Sequence, residues 1–177
     1  SSEERLKEEF KRAAEKVRKV EEELRELHER VEKSSRDSKR RIRELLKRAE
    51  EEVKRVEDRG TDRRKKEEIK RVVDELRKDV RRVEKENDEE LKKHNEDLKR
   101  VTDEIRKILK EMKEELDKRG ASDEVLRDLK RLIEELEDKA RRVLDKSRRI
   151  IERLRRKDEE VLRKLEKEIR ELKKKAN

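Results

Sequence analysis

Three observations in the 177-residue sequence predict an all-α chain, folded as an elongated, coiled-coil-like, up-down-up bundle of three helices of about 56 residues. Apolar residues recur at alternating steps of three and four along nearly the whole length, a period that belongs to a helix face and not to a strand. The two glycines, Gly60 and Gly120, divide the chain into three nearly equal segments. Proline is absent, so nothing inside those segments forbids an unbroken helix. A 64% content of Asp, Glu, Lys and Arg would by itself suggest disorder, but the regular spacing of the 27% that is hydrophobic overrules that reading.

The first helix is expected over about 2–58. Ser1 with Glu4 three positions later forms a capping box, and the stripe runs Leu6, Phe10, Ala13, Val17, Val20, Leu24, Leu27 and Val31. It continues through Ser34 and Ser38 to Ile42, Leu45, Ala49, Val53 and Val56. Gly60 suits the left-handed stop that ends a helix, with Thr61 or Asp62 capping the next one. The second helix, about 62–118, carries Ile69, Val72, Leu76, Val80 and Val83, then Asn87, Leu91, His94 and Leu98, then Val101, Ile105, Ile108, Met112 and Leu116. Gly120 stops it, and Ser122 caps the third, about 122–176, with Asp123 and Glu124 in the first turn, where the helix dipole favours acids. There the stripe is Val125, Leu129, Leu132, Leu136, Ala140, Val143, Ser147, Ile150, Leu154, Asp158, Val161, Leu165, Ile169, Leu172 and Ala176. The mean step lies between about 3.5 and 3.6 residues, which predicts only a gentle left-handed supercoil.

Connections of about three residues force neighbouring helices to run antiparallel. A helix of about 56 residues at 1.5 Å per residue is roughly 84 Å long, so the expected shape is a rod. No segment reads as a linker, and residues 1–177 are expected to form a single domain. Intermittent flanking residues such as Ala14, Leu46, Val73, Leu109 and Ile133 thicken the seam without making a second apolar face, as a monomer requires.

The polar residues on the seam are the informative exceptions. Ser34, Ser38, Asn87, His94, Ser147 and Asp158 occupy it, with His28, Ser35, Asn95 and Thr102 alongside. From the loops, residue numbers of facing pairs add up to roughly 119 in the first two helices and roughly 240 in the last two, within about one turn of 3.6 residues. This register places His94 near Ser147 and Arg25 with His28 less than a turn away. It also places Asn87 near Ser34 and Arg153, and Ser38 near Asp158. The polar residues therefore cluster in two neighbouring layers. An unpaired buried polar group costs about 1–3 kcal/mol, so clustering points to hydrogen-bonded networks that fix register and helix pairing.

The equal helices, the Arg59-Gly60-Thr61-Asp62 and Arg119-Gly120-Ala121-Ser122-Asp123 turns, the Ser1-Ser2-Glu3-Glu4 start, the Lys/Arg/Glu/Asp surface and the single aromatic, Phe10, together resemble de novo designed helical bundles with buried hydrogen-bond networks. The resemblance covers the whole chain. It implies a structural scaffold without natural catalytic activity, in which polar layers specify helix pairing and sometimes act as pH-sensitive or switchable elements. A spectrin-like repeat is a poor match, because these helices are much longer and the aromatic residues of that core are missing.

The same residues weigh against other chemistry. With no cysteine there is neither a disulfide nor a thiolate metal site, and two glycines cannot build a phosphate-cradling loop. The two histidines, His28 and His94, form no His-x-x-x-His pair, and the Glu-x-x-His motif fails because Arg25 and Leu91 stand at the required positions. No cofactor and no metal are expected, and a site joining His28, His94 and a carboxylate across helices ranks behind plain hydrogen bonding. Asp158 is the one acid squarely on the seam, expected to accept hydrogen bonds from Ser38 and a nearby arginine. Ser147 beside His94 lacks the free backbone N–H groups of an oxyanion hole.

The net charge of +9 makes salt-sensitive, non-specific nucleic-acid binding a further, weaker alternative. Acidic residues interleave with the basic clusters nearly everywhere, which dilutes any continuous phosphate-tracking stripe, and base-stacking aromatics are missing, so specific nucleic-acid recognition is not expected. No apolar run of transmembrane length or signal-peptide type occurs. No partner is required. The main alternative to a scaffold is an oligomerising or partner-binding, switchable helical module, working through self-association or helix exchange.

Overall fold

The computed structural model describes residues 2–59, 62–118 and 121–177, with the backbone alone at position 62. It is an all-α, three-helix bundle: α1 spans Ser2–Arg59, α2 Asp62–Lys118 and α3 Asp123–Lys174. The expected boundaries are met within two residues at every end. The stops at Gly60 and Gly120 and the caps at Ser1 and Thr61 lie outside the described residues. No strand occurs among the described residues.

Two helix ends show how the sequence sets them. Ser122 caps α3: its Oγ accepts from the N–H of Val125 at 3.4 Å, and its carbonyl accepts from the N–H of Leu126 at 3.0 Å. The N–H of Ser122 donates in turn to Glu3 Oε1 at 2.7 Å, so a carboxylate from the first turn of α1 satisfies the backbone where α3 begins. At its far end α3 tightens into i→i+3 bonds, Lys175 to Leu172 at 3.1 Å and Ala176 to Lys173 at 3.0 Å, which close the last carbonyls and keep Ala176 buried.

The chain divides into two compact units. One comprises residues 1–30 and 93–151, the other 31–92 and 152–177. In the first unit Leu6, Phe10, Val17 and Leu24 of α1 pack with Val101, Ile105 and Met112 of α2 and Val125, Leu129 and Leu136 of α3. In the second, Ile42 and Val53 meet Ile69, Val73, Leu76 and Val80, and Leu165, Ile169 and Leu172. No large hydrophobic side chain is exposed among the described residues. At three positions the fully buried member is the flanking residue, Ala14, Leu109 and Ile133, and its stripe neighbour Ala13, Ile108 or Leu132 is only partly buried. A near-straight helix drifts relative to a strict seven-residue repeat, so adjacent residues take turns at the seam.

α2 runs antiparallel to its neighbours, and α1 and α3 run parallel. The parallel pair keeps its offset to within about one turn of 3.6 residues: contacting residues are 119 apart at Ser147 and His28, 121 at Arg153 and Glu32, and 123 at Ser35 and Asp158. The loop-based register implies roughly 121 for this pair.

Candidate functional site

In the first unit three helices each bring one polar side chain into the core. His28 from α1, His94 from α2 and Ser147 from α3 are 8%, 5% and 0% exposed. Ser147 Oγ lies 2.5 Å from His28 Nε2 and 3.0 Å from the carbonyl oxygen of Val143. A serine hydroxyl has one proton. Whether that proton goes to the Val143 carbonyl or to His28 Nε2 follows the tautomer of His28. The hydrogen-bonding partner of Ser147 is thus His28 of the parallel helix rather than His94.

His94 meets His28 instead, ring to ring, with centroids 5.8 Å apart and planes tilted by 54°. Its Nε2 is buried and has no hydrogen-bond partner among the described residues. Burial lowers the His94 pKa below the ordinary 6.5, with Asp97 pulling weakly the other way. The neutral imidazole is the form this core accommodates.

In the second unit Asp158 of α3 is the hub. Its Oδ2 accepts from Asn87 Nδ2 of α2 at 2.8 Å, and its Oδ1 accepts from Ser35 Oγ of α1 at 3.4 Å. Lys39 Nζ stands 3.6 Å from the same Oδ1, so the nearby cation is a lysine and not an arginine. Arg153 pairs with Glu32 at 2.8 Å and not with Asn87. Of the serines, Ser35 is the buried one at 1% exposure, whereas Ser34 and Ser38 are half-buried. Ser38 lines a cavity of about 60 Å³ with Asn87, Asp158 and Glu84, which has the room and the polar walls that an ordered water needs. The Glu84 carboxyl is pushed above its ordinary value by burial first, then by Asp88 and Glu166, against the opposing pull of Arg81.

The displaced partners share one cause. The Cα–Cβ bonds of a helix tilt toward its own N-terminus. In an antiparallel pair the two tilts oppose, so side chains that meet come from residues further toward both C-termini than the backbones suggest. Asn87 therefore reaches Asp158 where the loops point to Arg153. In a parallel pair the tilts cancel, which is why the α1–α3 offset survives.

One buried acid was not expected at all. Glu21 is only 3% exposed. Its Oε2 lies 3.3 Å from Lys139 Nζ, while its Oε1 is buried without a hydrogen-bond partner among the described residues. The signal was present in the spacing, because Val17, Glu21 and Leu24 fit steps of four and three as well as Val17, Val20 and Leu24 do. Thr102, expected beside the seam, settles its hydroxyl locally by donating to the Leu98 carbonyl at 2.7 Å. Asn95 is half-buried.

The arrangement links side chains of different helices through hydrogen bonds. Ser147 is 0% exposed, so its Oγ lies out of reach of any substrate bond a nucleophile would attack. No group of three or more His, Cys, Asp or Glu residues is placed to hold a metal ion among the described residues. No described helix is long and apolar enough to cross a membrane.

No protein-family model and no curated protein sequence matches the chain. Among solved structures it is similar to one described as a computationally designed three-helix bundle, at a TM-score of 0.57 and 18% identity over 99% of this chain and 85% of that one. At that identity the likeness is one of fold, and the fold it supports is the three-helix bundle.

Proposed function

We propose that the chain is a designed structural scaffold, one domain over residues 1–177 with no natural biochemical activity, whose buried polar layers specify which helices pair and in what register. The observation that carries this reading is the placement of the polar contacts. His28 with Ser147 and Ser35 with Asp158 both join α1 to α3, the one pair that no loop connects. Apolar seams alone allow slippage by a turn or a heptad, whereas a slipped polar layer leaves buried donors and acceptors unpaired. The fold similarity to a designed bundle and the highly charged composition agree with it.

The test replaces both layers by apolar residues: His28→Leu, His94→Leu and Ser147→Ala together with Ser35→Ala, Asn87→Leu and Asp158→Leu. The expected variant is more resistant to denaturant but populates several masses in sedimentation equilibrium, because alternative pairings are no longer penalised. A variant that keeps one mass and one register, read by cross-linking of cysteines introduced on α1 and α3, overturns the reading. A second reading, a switchable module that opens or exchanges a helix, is favoured by the orphaned His94 Nε2. Its mark is a change of mass or helix accessibility on acidification.

A further inference from the structure

Beyond this scaffold role, and independent of it, the geometry points to a binding site for a compact polyphosphate in the groove between α2 and α3 of the first unit. The groove encloses about 480 Å³ and is lined over three turns of each helix, Thr102–Lys113 and Glu137–Arg148. Its depth comes from Ala140, a 4%-exposed seam residue whose neighbours one turn to either side are Leu136 and Leu144. Where a leucine would fill the space between the helices, alanine leaves it open.

Charge sets the occupant. Four cations face the groove, Arg106 and Lys110 from α2 and Arg141 and Arg148 from α3, against a single uncommitted acid, Asp145. Lys113 and Glu137 close one end as an ion pair and cancel each other. Arg106, Lys110 and Arg148 make no ion pair or side-chain hydrogen bond among the described residues. Arg141 makes only an exposed contact of 3.8 Å with Asp138. Other grooves do not share this surplus. In one, Glu67, Asp74 and Glu75 balance Lys70, Arg71 and Lys78. In another, Glu9, Glu111 and Glu115 outnumber Arg12 and Lys16.

Spacing sets the size. Arg106 and Lys110 are one turn apart, about 6 Å, and Arg141 and Arg148 two turns apart, about 10.5 Å, on helices whose axes are separated by about 8–10 Å. That quadrilateral matches a small molecule bearing several phosphates, and guanidinium groups bind phosphate through paired N–H donors.

The test is isothermal titration calorimetry of the full chain with inositol hexakisphosphate at low and moderate salt. The expected result is one site per chain, weakened by salt because its charges are exposed. Arg106→Gln with Arg148→Gln should weaken it at least tenfold. Arg48→Gln with Arg82→Gln, which removes the same charge from a groove of the second unit, should weaken it less than twofold. Ala140→Leu should weaken binding with no change in charge. A stoichiometry above one, or equal losses from the two double variants, overturns the proposal in favour of diffuse attraction to a basic chain. Unchanged binding in Ala140→Leu removes the cavity from it. The exposed arginine variants keep the test decisive if Ala140→Leu does not fold. Tighter binding of an acidic helical peptide than of the polyphosphate also overturns it.

Discussion

The bond from Asn87 Nδ2 to Asp158 Oδ2 can be weighed by a double-mutant cycle. At 2.8 Å, with the Asp158 side chain 18% exposed, it is a short hydrogen bond to an anion in a mostly dry setting. Bonds to charged groups contribute about 1.5–3 kcal/mol, and leaving a buried partner unsatisfied costs about 1–3 kcal/mol. Asn87→Ala removes one donor from a carboxylate that keeps Ser35 and Lys39, so its expected cost is about 1.5–3 kcal/mol. Asp158→Ala strands the Asn87 amide, the Ser35 hydroxyl and the Lys39 ammonium together, and its cost should be larger, about 2–4 kcal/mol. Once Asp158 is gone, removing Asn87 relieves an orphan instead of breaking a bond. The double variant should therefore cost about 1–2 kcal/mol less than the sum of the singles. Guanidinium unfolding at pH 7, followed by circular dichroism, reads all four corners, with constant slopes confirming that the unfolded state is unchanged. A coupling below about 0.5 kcal/mol, the ordinary scatter of additive pairs, would refute the claim that the two side chains act as a unit.

Three further outcomes follow from the same geometry. His94→Leu should stabilise by about 1–3 kcal/mol at pH 7, because it removes the orphaned Nε2. The folded pKa of His94 lies below the unfolded 6.5, so the unfolded chain takes up the proton first and wild-type stability falls as pH drops through 6.5 toward the folded value. The gap between variant and wild type should widen in denaturation at pH 5, and a gap that stays constant would contradict the burial of a neutral ring. Glu21→Leu should leave the protein as stable or more so, whereas Lys139→Ala should destabilise it by leaving a buried carboxylate uncompensated; equal effects in chemical denaturation would place Glu21 in solvent. Glu84 has its folded pKa raised above 4.5, so its ionised form is held at a cost once pH exceeds the folded value. Glu84→Gln should stabilise at pH 7 by less than about 1 kcal/mol, screened by solvent, and lose that advantage below pH 4.5.

What was legible in the sequence was whatever a period of three and four can encode. The helices, their boundaries and the burial of Leu6, Phe10, Val53 and Ile169 follow from it directly. The choice between Ser34 and Ser35 did not, because a heptad pattern fixes the seam to within one residue and a 100° step separates the two serines on the helix. Glu21 escaped because a charged residue at seam spacing reads as solvent-facing until a lysine on another helix is known to lie across from it. The antiparallel partners were displaced because loop counting places backbones, and side chains lean away from their own backbone levels.

The offset shared by α1 and α3 bears on what the connections are needed for. Glu3 at Ser122, Glu21 at Lys139, His28 at Ser147, Glu32 at Arg153 and Glu57 at Lys175 all tie the third helix to the first. Tethering through α2 brings α3 close but says little about how far it slides along its parallel neighbour. The side chains that join the two helices mark that position at intervals of about one to seven turns. A nick in the connection before Ala121 would thus cost the chain its tether and leave its ruler intact. A separate peptide of residues 121–177 should find its place against the remaining two helices in the original alignment.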